Sequence, residues 1–261
     1  MRHVWQQLKE VYLYREMLRN LVGKELRARY KGSVLGFFWT FAHPLLMLIV
    51  YSVVFSFVMR VKVENYAMFL FVALLPWNYL AQSTIQSSGS FIHNAGLVKK
   101  IYFPRAVLPL SVVFANLINY CLGLCVLLPA LLLFKIKLTP ALLAFPVVLA
   151  LQTLLVAALA LLVAVATVYF RDLEHITGIL MTVWFFLTPV IYPAELIPER
   201  FRPFLILNPA APLIEAYRAL FFYGRWPDWH QLGQLAPALL ALFIISLAAF
   251  ERLQRAVAEE I

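Results

Sequence analysis

Polar and apolar positions divide this chain into long runs with almost no charge between short basic joints. The first run, Val34 to Met59, reads VLGFFWTFAHPLLMLIVYSVVFSFVM and contains no Asp, Glu, Lys or Arg. As a helix rising about 1.5 Å per residue it reaches about 39 Å, enough to cross a bilayer with some tilt, and Pro44 is expected to kink it. Five further runs follow: Tyr66 to Ser88, Ala106 to Phe134, Thr139 to Tyr169, Ile176 to Tyr192 and Leu232 to Phe250. Read together they predict an all-α polytopic membrane protein with six transmembrane helices across residues 34–250.

The segments between the runs carry their own patterns. Ahead of the first run, Tyr14, Leu18, Leu21, Val22, Leu26 and Tyr30 recur three and four apart, with Arg15, Arg19, Lys24, Arg27 and Lys31 mostly on other faces. This predicts an amphipathic helix in residues 1–33 lying on the membrane surface, either as a charged anchor or as a docking surface. The end of the second run is polar (Gln82, Ser83, Thr84, Gln86, Ser87, Ser88), which suits a wall facing protein or water. A basic loop occupies residues 89–105. Residues 193–231 hold Asn208 and Pro209, an expected N-cap and first helical residue, and Gly224, an expected stop. The helix between them is too short to cross and carries Glu215 and Arg218, so a re-entrant outer hairpin is expected there. Residues 251–261 form a short charged tail.

Composition narrows the class. Of the 261 residues, 63% are hydrophobic and only 13% charged. Soluble domains average about 25% charged residues, so this surface suits lipid better than water. The net charge of +9 is read as basic residues holding helix ends near anionic lipid rather than as a nucleic-acid signal. Fourteen of the 22 Lys and Arg fall on one side if the N-terminus is cytoplasmic, which favours both termini inside. No cleavable leader is read, so the first span would act as the insertion signal.

Catalytic chemistry is sparse. No carboxylate lies in the middle of a predicted span, and the five histidines have no metal-ligand spacing. His43, beside Pro44, lines a cavity or packs as a hydrogen-bonded structural residue. Cys121 and Cys125, four apart in an apolar run, read as small packing residues. With no ionisable residue at mid-membrane and no phosphate-binding loop, energy for any transport would come from another subunit.

Several stretches, taken in order, resemble one family. They are Arg29-Tyr30-Lys31-Gly32-Ser33-Val34-Leu35-Gly36-Phe37-Phe38-Trp39 with His43-Pro44-Leu45; Leu75-Pro76-Trp77; Asn94-Ala95-Gly96-Leu97-Val98-Lys99-Lys100-Ile101-Tyr102-Phe103-Pro104-Arg105; Arg171-Asp172-Leu173; Pro189-Val190-Ile191-Tyr192-Pro193; and Asn208-Pro209. They resemble permease subunits of ABC transporters that export polysaccharides such as O-antigen, capsule and teichoic acid.

The resemblance implies a transporter subunit rather than an enzyme, in the bacterial inner membrane. It implies a homodimer of this chain with two ATPase subunits, which bind ATP and Mg, while this chain holds no cofactor. Coupling to the ATPase would involve the amphipathic helix and His93, Asn94, Leu97, Lys99 and Lys100. Channel aromatics would be Phe37, Phe38, Trp39, Phe41, Trp77 and Tyr79, which interfacial belts explain equally well. Arg27, Arg29 and Lys31 would receive a lipid-linked diphosphate or anchor membrane phospholipid. Asn208, Pro209, Glu215 and Arg218 would belong to the outer gate. The alternatives are export of a small amphipathic drug or lipid, and a membrane transferase acting on polyprenyl phosphate.

Overall fold

The computed structural model describes residues 9–30, 32–33, 36–54, 65–201, 205 and 207–254, without the side chains of residues 29, 30, 37 and 201. Both ends of the first predicted span, the loop after it, Lys31, and the Arg29 and Phe37 side chains therefore lie outside the described residues. Within them the chain is helical and has no strand. Nine helices are named here: α1 (Arg15–Tyr30), α2 (Trp39–Val53), α3 (Tyr66–Ser88), α4 (Ala95–Lys100), α5 (Val107–Leu133), α6 (Phe145–Tyr169), α7 (Leu173–Leu187), α8 (Ala210–Phe221) and α9 (Trp229–Leu253).

Among the described residues, four helical segments are long and apolar enough to cross a membrane: Tyr66–Ser88, Val107–Leu133, Pro140–Tyr169 and Trp229–Leu253. Within the other two predicted spans the described helices are shorter. Trp39–Val53 and Leu173–Leu187 have 15 residues each, about 22 Å of helix against a hydrocarbon core of about 30 Å. The fifth run was expected to continue to Tyr192 and stops at Leu187. Thr188 precedes Pro189, and the proline ring drives it into extended backbone with ψ of 137°.

The elements are set by local chemistry. Asn65 starts α3 from a left-handed conformation (φ 54°), which asparagine tolerates better than most residues. Asp228 caps α9 by accepting from the backbone N–H of His230 and Gln231 at 3.0 and 3.1 Å. The last turn of α9 is held at its carbonyls, where Arg105 Nη1 donates to Gln254 O and Tyr169 Oη donates to Leu253 O at 2.6 Å.

Helix α3 is the central post. It packs on α2, α5, α6, α7 and α8, and most of its length is buried. A polar pin ties its neighbours together. Gln152 of α6 donates to Pro76 O of α3 at 2.7 Å and accepts from Tyr217 Oη of α8 at 2.5 Å. All three partners are buried, so the exchange leaves no polar atom of that set facing hydrocarbon. Helix α1 lies against the opposite end of the bundle through Leu21, which shares a cluster with Phe91, Val98, Phe103 and Phe250. The expected N-terminal amphipathic helix is therefore present. Cys121 and Cys125 depart from expectation: both are exposed on α5 rather than packed inside.

Candidate functional site

One turn of α3 points its polar residues in three directions. Trp77 faces α7, where its ring meets Trp184 at 5.9 Å and Phe185 at 5.6 Å. Tyr79 faces α5 and α6, stacking on Tyr120 at 5.7 Å and donating to Thr153 at 3.3 Å. Between these two directions Asn78 and Gln82 are exposed, four residues apart on one stripe. A cavity of about 410 Å³ lies beside that stripe, between α2, α3 and α5. Its polar lining includes Thr40 and His43 from α2, Asn78 and Gln82 from α3, and Asn116 and Asn119 from α5. Trp39, Tyr51, Phe71, Tyr79 and Tyr120 supply its aromatic rings. His43 thus borders an open space and is exposed, rather than sealed in packing.

The six aromatic candidates separate accordingly. Trp39 and Tyr79 border the cavity. Phe38 is exposed one residue before α2, and Phe41 is partly buried within it. Trp77 is buried between α3 and α7 and does not face the cavity.

At the α1 end, the chain leaves α3 through Gly89 and turns through Ile92–Asn94 into the short helix α4. Helix α4 is only six residues long, so much of the expected basic loop keeps its irregular backbone, and Ile101 is already extended. A Cβ on Gly89 would come within 2.6 Å of His93 Cε1 and 2.9 Å of Glu174 Oε1. His93 Nε2 in turn lies 3.7 Å from Glu174 Oε1 at the start of α7. Asn94 is turned inward: its Oδ1 accepts from Lys24 Nζ at 2.6 Å and its Nδ2 donates to Ser90 O at 2.9 Å. That braces α1 against the elbow. Leu97 is half-buried, while Lys99 and Lys100 are exposed and Tyr102 is 94% exposed. Arg27 projects from α1 and is exposed as well.

At the far end, Arg218 is fully buried within α8. Its Nη1 donates to Pro189 O at 2.6 Å and Glu215 Oε1 at 2.7 Å, and its Nη2 donates to Val190 O at 2.6 Å. Its guanidinium carbon sits 3.7 Å from the Phe69 ring centre of α3. Asn208 joins the same corner: Oδ1 accepts from Trp184 Nε1 at 2.8 Å and from the N–H of Ala210 at 3.1 Å, while Nδ2 donates to Thr188 Oγ1 at 2.9 Å. Helix α8 opens at Ala210, one residue later than expected, with Pro209 at the boundary. Asn208, Pro209, Glu215 and Arg218 are therefore brought together where α7 ends and α8 begins.

The family model for ABC-2 type transporters matches residues 16–222. The chain belongs to the ABC-2 type transporter family. It is 39% identical over 256 residues to "O-antigen export system permease protein RfbA" of Myxococcus xanthus, covering 97% of this chain and 98% of that protein. It is 33% identical over 249 residues to the protein of the same name in Klebsiella pneumoniae, covering 95% of each. It is 22% identical over 243 residues to "Polysialic acid transport protein KpsM" of Escherichia coli, covering 89% of this chain and 92% of that protein.

In this ABC-2 type chain, Asn116, Asn119 and Gln152 are the polar residues the sequence reading passed over. Each is an amide within an apolar run, and the cost of placing an amide there was the available signal. Arg27 is exposed near the α1 end and is not part of the cavity.

Proposed function

We propose that this chain is the permease subunit of an ATP-driven exporter of lipid-linked polysaccharide in the bacterial inner membrane. The similarity to O-antigen export permeases over nearly the whole chain carries this reading. Two copies meet across the face that holds Asn78 and Gln82. The flanking helices α2 and α7 expose apolar rows to that side or to lipid: Leu46, Ile49 and Val50 on α2; Ile179, Val183 and Phe186 on α7. In a homodimer such rows close around a polar stripe, leaving amides and rings along a path wide enough for sugars.

Six spans with both termini inside accommodate the two short helices by local bilayer thinning or by extension at their ends. Helix α8, with its buried arginine, forms a re-entrant outer gate. Two ATPase subunits bind ATP and Mg and press on the elbow formed by His93, Leu97, Lys99 and Lys100, while the Lys24–Asn94 contact passes the push to α1. Arg27, Arg29 and Lys31 receive the diphosphate of the lipid carrier at the cytoplasmic side.

The test is surface glycan in a strain lacking its own permease, with this chain supplied with or without the ATPase encoded beside it. Surface glycan is expected only with both. Glycan export without the ATPase, or flipping of a short fluorescent phospholipid with no export of glycan, would replace the proposal, the second outcome by the small-amphiphile reading.

A further inference from the structure

A further cavity, half-open and about 640 Å³, lies where α7 ends and α8 begins. Trp184, Phe186 and Leu187 of α7 line it together with Ile197, Leu207 and Pro209. No Asp, Glu, Lys, Arg or His is among its described lining residues. The polar side chains that do border it are already engaged. Trp184 Nε1 donates to Asn208 Oδ1 at 2.8 Å, Asn208 Nδ2 donates to Thr188 Oγ1 at 2.9 Å, and Tyr192 Oη donates to Phe186 O at 2.8 Å. An occupant finds little to hydrogen-bond. A resident water needs about two to four polar partners, so this space suits hydrocarbon rather than water or a polar ligand.

The position of the cavity along α7 narrows the hydrocarbon. Arg171 and Asp172 are exposed just before Leu173, and such charges belong at the headgroup level. From there the 15 residues of α7 reach about 22 Å into a hydrocarbon core of about 30 Å. Their far end stops about 8 Å short of the opposite headgroups, and a tilt of the helix only widens that gap. The cavity therefore sits at acyl-chain depth. Its rim is open to that layer, with Leu187 64% and Leu207 79% exposed. A void left there forfeits dispersion contacts on one side, and the bilayer supplies acyl chains in excess of any other apolar occupant. We propose that this cavity holds one acyl chain of a bilayer phospholipid beneath the α7–α8 corner. The site goes beyond the exporter reading, because it depends on the membrane fold and not on the cargo.

The experiment uses the full-length permease with its ATPase, reconstituted in vesicles of dioleoylphosphatidylcholine or of phosphatidylcholine brominated at mid-chain. Bromine quenches an indole only at close contact. Trp184 emission is isolated by subtracting the spectrum of Trp184→Phe, and the same subtraction is made in every background. Trp184 emission is expected to be lost in the brominated vesicles and to resist iodide added to the water. Ile197→Phe and Leu207→Phe each fill the space without adding an indole, and each is expected to restore Trp184 emission in brominated lipid. They alter different segments, so one serves should the other fail to assemble.

Trp184 emission untouched by bromine, as when a second copy of this chain covers the cavity, would overturn the site. So would quenching by iodide, which places water there. Bromine quenching unchanged in both phenylalanine variants would place the lipid outside the cavity and overturn it as well. Glycan export by the same complex is measured separately. Export without Trp184 quenching removes the acyl-chain site and leaves the exporter; quenching without export does the reverse.

Discussion

Replacing Arg218 by Met is the sharpest perturbation the fold offers. The guanidinium is fully buried and makes three short bonds, two of them to the carbonyls of Pro189 and Val190 just past the end of α7. Methionine keeps much of the volume and the contact with Phe69 but donates nothing. Two carbonyls then lose their donor in an apolar corner, and Glu215 loses its partner. Removing one member of a buried charged network costs about 3–5 kcal/mol. Glu215 differs because 30% of its side chain is exposed. Glu215→Gln keeps an acceptor at the same place, so its cost is expected to stay within about 1 kcal/mol, as for an exposed pair. Arg218→Lys keeps the charge without the fork, since an ammonium cannot span two carbonyls and a carboxylate as a planar group does, and should fall between. The assay is equilibrium unfolding of the detergent-solubilised protein with denaturing surfactant, followed by tryptophan fluorescence. A loss below about 0.5 kcal/mol for Arg218→Met, or an equal loss for Glu215→Gln, would refute the reasoning.

Three further outcomes are expected. Gln152→Leu leaves the Pro76 carbonyl and the Tyr217 hydroxyl unmatched and should cost about 2–3 kcal/mol, against about 1 for Tyr217→Phe, with a double-mutant cycle showing coupling above about 0.5; additive losses would mean the pin is not shared. Gly89→Ala forces His93 and Glu174 away from a Cβ at 2.6 and 2.9 Å, so its melting temperature should drop and Gly89→Ala/His93→Ala should recover it; an unchanged single variant would mean the elbow is loosely packed. Cys121→Ala and Cys125→Ala each remove an exposed thiol and should shift unfolding by less than about 0.5 kcal/mol; a larger shift would place the thiols inside an interface.

Hydrophobic length made most of the fold legible. A run of twenty or more residues without charge has few options besides a buried or membrane helix, so α3, α5, α6 and α9 fall close to their expected bounds. The amphipathic pattern of α1 was equally direct, because a repeat of three and four residues is the period of one helix face. The short helices were harder. Hydropathy carries the fifth span through Pro189 to Tyr192, yet Thr188-Pro189 already marks the stop at Leu187. Polar residues in the second span were visible, but not their direction. Asn78 and Gln82 face out, while Ser83 and Thr84 are buried, Thr84 spending its hydroxyl on Leu80 O at 2.9 Å. Which way such residues turn depends on where α2 and α7 dock. The same holds for Arg218, whose complete burial where α7 ends and α8 begins depends on the docking of those helices.

Helix α7 gives those corners a common mechanical basis. Its first turn carries Glu174, 3.7 Å from His93 on the elbow after α3. Its other end is fastened by four hydrogen bonds, linking Trp184 and Thr188 to Asn208 and Pro189 and Val190 to Arg218. The helix between them runs unbroken from Leu173 to Leu187, about 22 Å along the axis. A helix of that length without an internal proline or a broken turn moves as a rod. A displacement imposed on His93 at one end of α7 is therefore expected to shift the α7–α8 corner at the other. Along that rod, Trp184 and Phe185 press on Trp77, on the flank of the stripe that holds Asn78 and Gln82. Asn78 and Gln82 line the cavity between α2, α3 and α5, so a shift of α7 against α3 is expected to reach its wall.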